Sequence, residues 1–368
     1  MGRVSDRSDL FPRRPKAKLT GTSWAYAWAR TIQRFSDDRR MDSAATLSYY
    51  FLLSVIPALG AGISMLTVFG QGPTTVEAIL NVFEQATGWS RLQSLYDPLM
   101  SMARSSANLP VFIGGIILSL WSAGRYVRTF GLMVNEVFEV AEGRTWWVLR
   151  FQSFLVTLLL IPLIIAIFGL LTGRTDWLEF FNPPDSALLA WKIARFPLIV
   201  LFMFFTIAVL GAWTSNVKRP QRNPLTVGAG VALVAWLLLT AGVYFFVITV
   251  GFASAYGALS IPFVLLTWLW LTNLALVFGI QFDCEMLRAR RLQSGIPAES
   301  DILLPPKATG RIIGVERREF MLSYLGAQLR RSEGRTVGKV EYASFLADPT
   351  LRRLKKLRLR FGSGRSRD

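Results

Sequence analysis

LLTWLWLTNLALVFGIQFDCEMLRARR, residues Leu265–Arg291, decides the fold. Its first sixteen residues are apolar apart from two threonines and one amide, Asn273. Gln281, Asp283 and Glu285 then arrive, and Arg288, Arg290 and Arg291 follow at once. Two readings compete: the core helix of a soluble enzyme ending in an acidic site, or a membrane span leaving the bilayer. Composition favours the second. The 368 residues are 52% hydrophobic and only 18% charged, with a mean hydropathy of +0.38. A folded soluble surface needs more charge than that.

A span needs about 20 mainly apolar residues at a rise of about 1.5 Å each. Six windows meet or approach this: Ala44–Phe69, Leu109–Gly124, Phe151–Leu171, Phe196–Trp213, Leu225–Val250 and Ile261–Phe282. The second and fourth are short, and are expected to extend through residues 125–127 and back through 191–195. With the N-terminus in the cytosol, the cytosolic segments hold 36 of the 41 Lys and Arg and the outer segments hold 5. That bias places both termini inside. The expected architecture is all-α: a polytopic membrane protein with six transmembrane helices plus interfacial amphipathic helices. A cytosolic segment 1–43 would precede a membrane domain 44–282 and a basic cytosolic tail 283–368. Before residue 44 no apolar run is long enough for a signal-peptide core.

In this frame Asp283 lies about 33 Å along its helix from Ile261, at the cytosolic edge. Asp283, Glu285 and the arginines then read as a helix running out into water, where Glu285 can pair with Arg288. Asp283 and Glu285 are two apart and share no helix face, which counts against a catalytic acid pair. The chain has no histidine and one cysteine, Cys284. This removes His-based triads, His-ligated zinc and imidazole acid–base work, and no nucleotide-binding loop is present. Neither a catalytic nor a metal site is expected, and no cofactor.

Polar positions inside spans are costly and need a partner or a task. AATLSYYFLLSVIP (44–57) places Thr46, Tyr50 and Ser54 on one face, ahead of Pro57, which frees a backbone carbonyl. That face suits either a polar path or a helix contact. Gly115, Ser119 and Ala123 form a small-residue seam. Arg125 ends the second span, and Asn135, Glu136 and Glu139 follow at a spacing that could pair the carboxylates with Arg125 or Arg128. Asn273 falls about 18 Å from Ile261, near mid-membrane, where it either glues helices or lines a pathway. Candidate pathway-lining or helix-contact residues are thus Thr46, Tyr50, Ser54, Pro57 and Asn273; Arg125, Asn135, Asp283, Glu285 and Arg288 form a polar cluster at the cytosolic edge.

Amphipathic stripes recur between the spans. Trp24, Trp28, Ile32 and Phe35 share a face before the first span, and Val127, Phe130, Val134, Val137 and Phe138 recur after the second. Val76, Ile79, Leu80 and Phe83 form a third, and Leu92, Leu95, Tyr96, Leu99 and Met102 a fourth. Residues 311–347 read as a small helical piece. PTLRRLKKLRLRFGSGRSRD (349–368) is a basic amphipathic end suited to anionic lipid, at about 1 kcal/mol per cation; nothing resembles a nucleic-acid module.

Four segments resemble the YihY/BrkB family of bacterial inner-membrane proteins: AATLSYYFLLSVIP (44–57), LWSAGRYVRTFGLMVNEVF (120–138), YGALSIPFVLLTWLWL (256–271) and GIQFDCEMLRARR (279–291). The likeness covers roughly residues 25–292. LGAWTSNVKRP (210–220) departs from the family pattern, keeping Asn216, and Gln281 and Asp283 stand where the family more often has Glu and Asn. The resemblance implies a multi-pass protein of the bacterial cytoplasmic (inner) membrane, linked to virulence-associated resistance, envelope phenotypes and solute export. The family also carries an old ribonuclease label (ribonuclease BN); a metal nuclease of that type needs His ligands, which this chain lacks. The function expected is transport or export of a small solute or lipid-like substrate. The alternative is a non-transporting membrane-organising or envelope-assembly factor that binds lipids or partner proteins. Expected partners are the bilayer, anionic lipids through the tail and an unidentified solute, without nucleic acid; oligomerisation is left open.

Overall fold

The computed structural model describes residues 18–37, 40–68, 109–172, 184–218, 226–250, 260–302 and 304–334, with 73, 76–77, 96–97 and 100–101. Among these the fold is all-helical, with one isolated bridge from Val217 to Pro306. Two compact units divide the chain, Met1–Thr309 and Gly310–Asp368. The first contains α1 (Gly21–Asp37), α2 (Arg40–Val68), α3 (Leu109–Val137), α4 (Trp146–Thr172), α5 (Asp185–Trp213), α6 (Val227–Val250) and α7 (Ser260–Gln293). The second is described through one helix, α8 (Gly310–Arg331).

Chain order and spatial order coincide in the first unit. α2 packs along α3, α3 on α4, α4 on α5, α5 on α6, α6 on α7, and α7 returns to α2. Six helices thus close a cyclic bundle, in which α3 also packs on α5 and touches α7, with α1 against α7. Trp28 meets Phe282 with ring centroids 4.6 Å apart, and Phe35 meets Phe278 at 5.2 Å. The aromatic stripe of α1 therefore packs on α7 along one edge, although Trp24, Trp28 and Ile32 each remain exposed.

Among the described residues four helices are long and apolar enough to cross a membrane: Trp146–Ile167, Ser186–Trp213, Val227–Thr249 and Pro262–Gln293. The protein covers only 11% of the apolar window in α6 but 33% of that in α7. α6 therefore needs lipid over most of its surface, while α7 is the more enclosed helix. The chain is a multi-pass membrane protein. α2 and α3, 29 residues each, complete the ring; Arg125 and Arg128 interrupt the apolar run of α3.

Several boundaries differ from expectation. The stripe Val127–Val137 is not a separate interfacial helix, because α3 continues unbroken through it. Val127, Phe130 and Val134 are buried and form the centre of the main core with Leu47, Leu210 and Val277. α5 begins at Asp185, ahead of the expected extension. α7 runs without a break across residues 282–283 to Gln293. The outer-loop stripes lie almost wholly outside the described residues, and so does the basic end 349–368.

α6 and α7 approach backbone to backbone at Gly228 and Gly279. A Cβ on either glycine would run into the other's carbonyl oxygen. Gly230, one turn position away, has only a Phe204 ring carbon at 3.9 Å from such a Cβ. Gly279→Val is expected to cost about 1–3 kcal/mol or more through overpacking, and Gly230→Ala to be neutral or slightly stabilising; thermal unfolding in neutral detergent measures both.

Candidate functional site

The last turns of α7 carry most of the polar chemistry. Gln281, Glu285 and Arg288 recur at helical spacing on one face, and the fold buries that face: Glu285 is 1% exposed and Arg288 0%. This corrects the expectation of a solvated cluster, because α1, the turn after α3 and residues 298–302 cover it. Gln281 Nε2 donates to Glu285 Oε1 at 3.1 Å, and Arg288 Nε donates to Glu285 Oε2 at 3.0 Å. From α1, Arg30 Nε reaches Glu285 Oε2 at 3.3 Å. The remaining Arg288 nitrogens donate to Ala298 O at 2.8 Å and to Glu139 Oε1 at 2.9 Å. Every guanidinium nitrogen of Arg288 is thereby bonded, as a buried cation requires.

Glu139 is the other anchor. It has a φ of 56°, in the left-handed region. Its N–H donates to Glu136 O and the next N–H, of Val140, donates to Asn135 O. This is a Schellman ending, with Glu where Gly is usual. The non-glycine residue costs about 1–2 kcal/mol in that conformation. Its carboxylate offsets the cost, holding Arg288 and Arg34 and accepting the Ile302 N–H at 3.1 Å. Glu136 pairs with Arg40 at 3.4 Å. Neither carboxylate meets Arg125 or Arg128, contrary to the spacing-based expectation.

A second network closes the turn between α3 and α4 over the end of α5. Arg144 donates twice to Glu142, at 2.9 and 2.7 Å, to Gln152 at 2.7 Å and to Thr214 O at 2.8 Å. Asn135 Nδ2 donates to Glu142 Oε2 at 2.7 Å, and its Oδ1 accepts the Asn216 N–H at 2.6 Å. Lys307 Nζ donates to Ala212 O and Ser215 O at 3.0 and 2.9 Å. Two cations thus sit on the carbonyl end of α5, where the helix dipole favours them. Burial pushes the Glu142 carboxyl up, but the hydrogen bonds and charge of Arg144, with Asn135, outweigh it and hold Glu142 below the ordinary value.

Asp283 faces a different partner. Its Oδ1 accepts the Gly228 N–H at 2.7 Å, in the first turn of α6, beside the Thr226 cap on Ala229. A carboxylate at a helix N-terminus is favourable, and the glycine pair permits the approach. Asp283 and Glu285 accordingly serve separate structures.

Deeper in the bundle, Asn273 is 2% exposed. Its Oδ1 accepts from Tyr126 Oη on α3 at 2.9 Å, and its Nδ2 donates to Ser48 Oγ on α2 at 3.1 Å and to Leu269 O at 2.9 Å. The amide joins three helices. Thr46 is exposed and donates to Asp42 O, Ser54 donates to Phe51 O, and Tyr50 lies beside the Arg125 guanidinium, 6.0 Å from ring centroid. Those hydroxyls are not brought together with Asn273. Pro57 lies inside α2, next to Gly115 of α3, whose added Cβ would stand 3.2 Å from Pro57 O. Ser48, Tyr126, Arg30, Glu142 and Arg144 were not singled out from sequence as site residues. Only the demand of a buried amide or ion for partners could have pointed to them.

Comparison with known proteins places this geometry in a membrane-protein class. The family described as Virulence factor BrkB matches residues 31–301. The chain belongs to that family. It is similar to the ribonuclease-like protein YfkH of Bacillus subtilis, 26% identical over 72% of this chain and 97% of YfkH. It is also similar to membrane proteins of the UPF0761 group from Pseudomonas aeruginosa (25% identical over 70% of this chain) and Chlorobium luteolum (27% over 74%). In those two the match spans 62% of their own length. No solved structure matches.

Three outcomes follow from the bonding. Arg288→Met leaves buried Glu285 with Arg30 as its remaining cation and Glu139 with Arg34 and should cost about 3 kcal/mol, whereas Glu285→Met with Arg288→Met should recover part of that loss; chemical unfolding in detergent compares them. Asn273→Ala should cost about 0.6–2 kcal/mol in the same assay. The Glu142 contribution is complete above the ordinary carboxylate value of about 4.3 and is lost as pH falls through its lower value in the fold. Unfolding temperature against pH should therefore fall less steeply in acid for Glu142→Gln.

Proposed function

We propose that the chain is a six-span protein of the bacterial inner membrane, both termini cytosolic, that moves a small solute or lipid-like substrate through its helix ring. The observation that carries this reading is the closed ring with one end held by a buried, multiply connected charge network. Apolar packing could hold a permanently shut bundle more cheaply. Ion pairs with several partners can exchange between two arrangements, as an opening element requires. The bias of Lys and Arg supports the orientation, which puts the network at the cytosolic mouth. In this reading Glu139, Glu285 and Arg288 form the closed latch. Asn273, Ser48 and Tyr126 are the hinge contact rather than the lining, since the amide is fully bonded.

A membrane-organising role is the second reading, and the same Asn273 bonding favours it, because the residue best placed to line a path is occupied in holding helices. The two separate by flux. Cells with wild type, a deletion, Asn273→Ala and Glu139→Gln, at equal membrane levels, are compared for small molecules and lipids inside and in the medium. Transport predicts one compound retained in the deletion and an altered rate in both Glu139→Gln and Asn273→Ala, with the same compound moved. If no compound redistributes while envelope lipids shift in the deletion, the organising role replaces transport.

A further inference from the structure

Three cations outside both networks stand without acidic partners. Arg125 and Arg128 lie on α3, about 24 and 28 Å from its start at Leu109, and Arg150 lies one turn into α4. Among the described residues no carboxylate pairs with any of them; Glu136, Glu139 and Glu142 are taken by Arg40, by Arg288 with Arg34, and by Arg144. Arg125 and Arg150 lie against the same Trp121 ring and Arg128 is three residues on from Arg125 in α3, so like charges are crowded with no carboxylate among the described residues to neutralise them. Arg128 Nε is buried and has no hydrogen-bond partner.

Aromatic faces hold the cluster in place. The Arg150 guanidinium lies 3.5 Å from the Trp121 ring centroid and 5.8 Å from that of Trp146. Arg125 lies 5.7 Å from Trp121 and 6.0 Å from Tyr50. Cation–π contact of this kind holds the Arg125 and Arg150 guanidiniums near Trp121 without using their N–H groups, which suit an oxyanion. Trp121, Trp146 and Trp147 are themselves exposed, at 48%, 46% and 75%. Exposed tryptophans grouped at one end of apolar helices mark the level of the lipid headgroups. An unneutralised arginine cluster at that level matches a phosphate carried by a lipid, since planar guanidiniums bind phosphate oxygens in pairs.

We propose that Arg125, Arg128 and Arg150, backed by Trp121 and Trp146, bind the phosphate of an anionic membrane-lipid headgroup. The site is distinct from the basic tail, and the inference rests on membrane embedding, not on transport. The lipid would neutralise the crowding.

The test uses the purified full chain in neutral maltoside detergent, with the tail present in every sample. Dioleoylphosphatidylglycerol and dioleoylphosphatidylcholine are titrated separately and bound lipid is counted by native mass spectrometry. Wild type should prefer the anionic lipid, and each Arg→Gln change should lower that affinity roughly fivefold, until the triple variant keeps only the weaker preference that the tail supplies. Arg125→Gln alone, at an exposed position, keeps the test decisive if the triple variant does not fold. An unchanged preference in the folded variants would overturn the site. Full competition by millimolar glycerol 3-phosphate would overturn the lipid assignment in favour of a soluble phosphate ester.

Discussion

A guanidinium and a carboxylate taken out of water must find partners for every charged atom, and Arg288 with Glu285 imposes that demand at the heart of this fold. Desolvating such ions costs several kcal/mol each, so the covering elements are chosen by what they supply. α1 brings Arg30, the turn after α3 brings Glu139, and the segment after α7 brings the Ala298 carbonyl and the Ile302 N–H. Without these three contributions the last turns of α7 could not be buried. The left-handed Glu139 is a local cost accepted for the same end.

The main apolar core lies at this end of the ring as well. Phe130, Val134 and Phe138 are buried beside Cys284 and Ile302. Cys284 donates to the Val137 carbonyl, tying α7 to the close of α3. The neighbouring Asn135–Glu142–Arg144 network fastens that same turn to the carbonyl end of α5, and Asp283 fastens α7 to the start of α6. Charge and packing therefore reinforce one another where four helix ends converge. Further along the helices Asn273 joins α2, α3 and α7, and the Trp236 and Trp268 indoles donate to Thr272 and Thr240 between α6 and α7.

Much of the helical pattern was legible because a span is a local property. Val227–Val250 has no charged residue, and its boundaries fall within two residues of the apolar window. The Glu285–Arg288 pair was also legible, since a spacing of three on a helix fixes a meeting. Burial was not. A run of Asp, Glu and Arg after an apolar segment looks solvated in any one-dimensional reading, and the cover comes from α1 and the turn after α3, more than a hundred residues away, with the segment just after α7. Spacing also misassigned Glu136 and Glu139, whose partners Arg40 and Arg288 come from other helices. For Asn273 the need for a partner could be read, but not that Ser48 and Tyr126 would meet it while Thr46 and Ser54 turned back onto their own helix.

The interior of this network holds its own reporter, because Cys284 is the only cysteine in the chain and is fully buried beside Glu285. The rate at which a maleimide labels Cys284 in detergent measures how often this end opens. If the Glu285–Arg288–Glu139 network clamps it, labelling of wild type is slow and Arg288→Met speeds it on the order of a hundredfold, as a loss of about 3 kcal/mol implies. Equal rates in the two folded proteins would contradict the clamp and leave apolar packing as what holds the end closed.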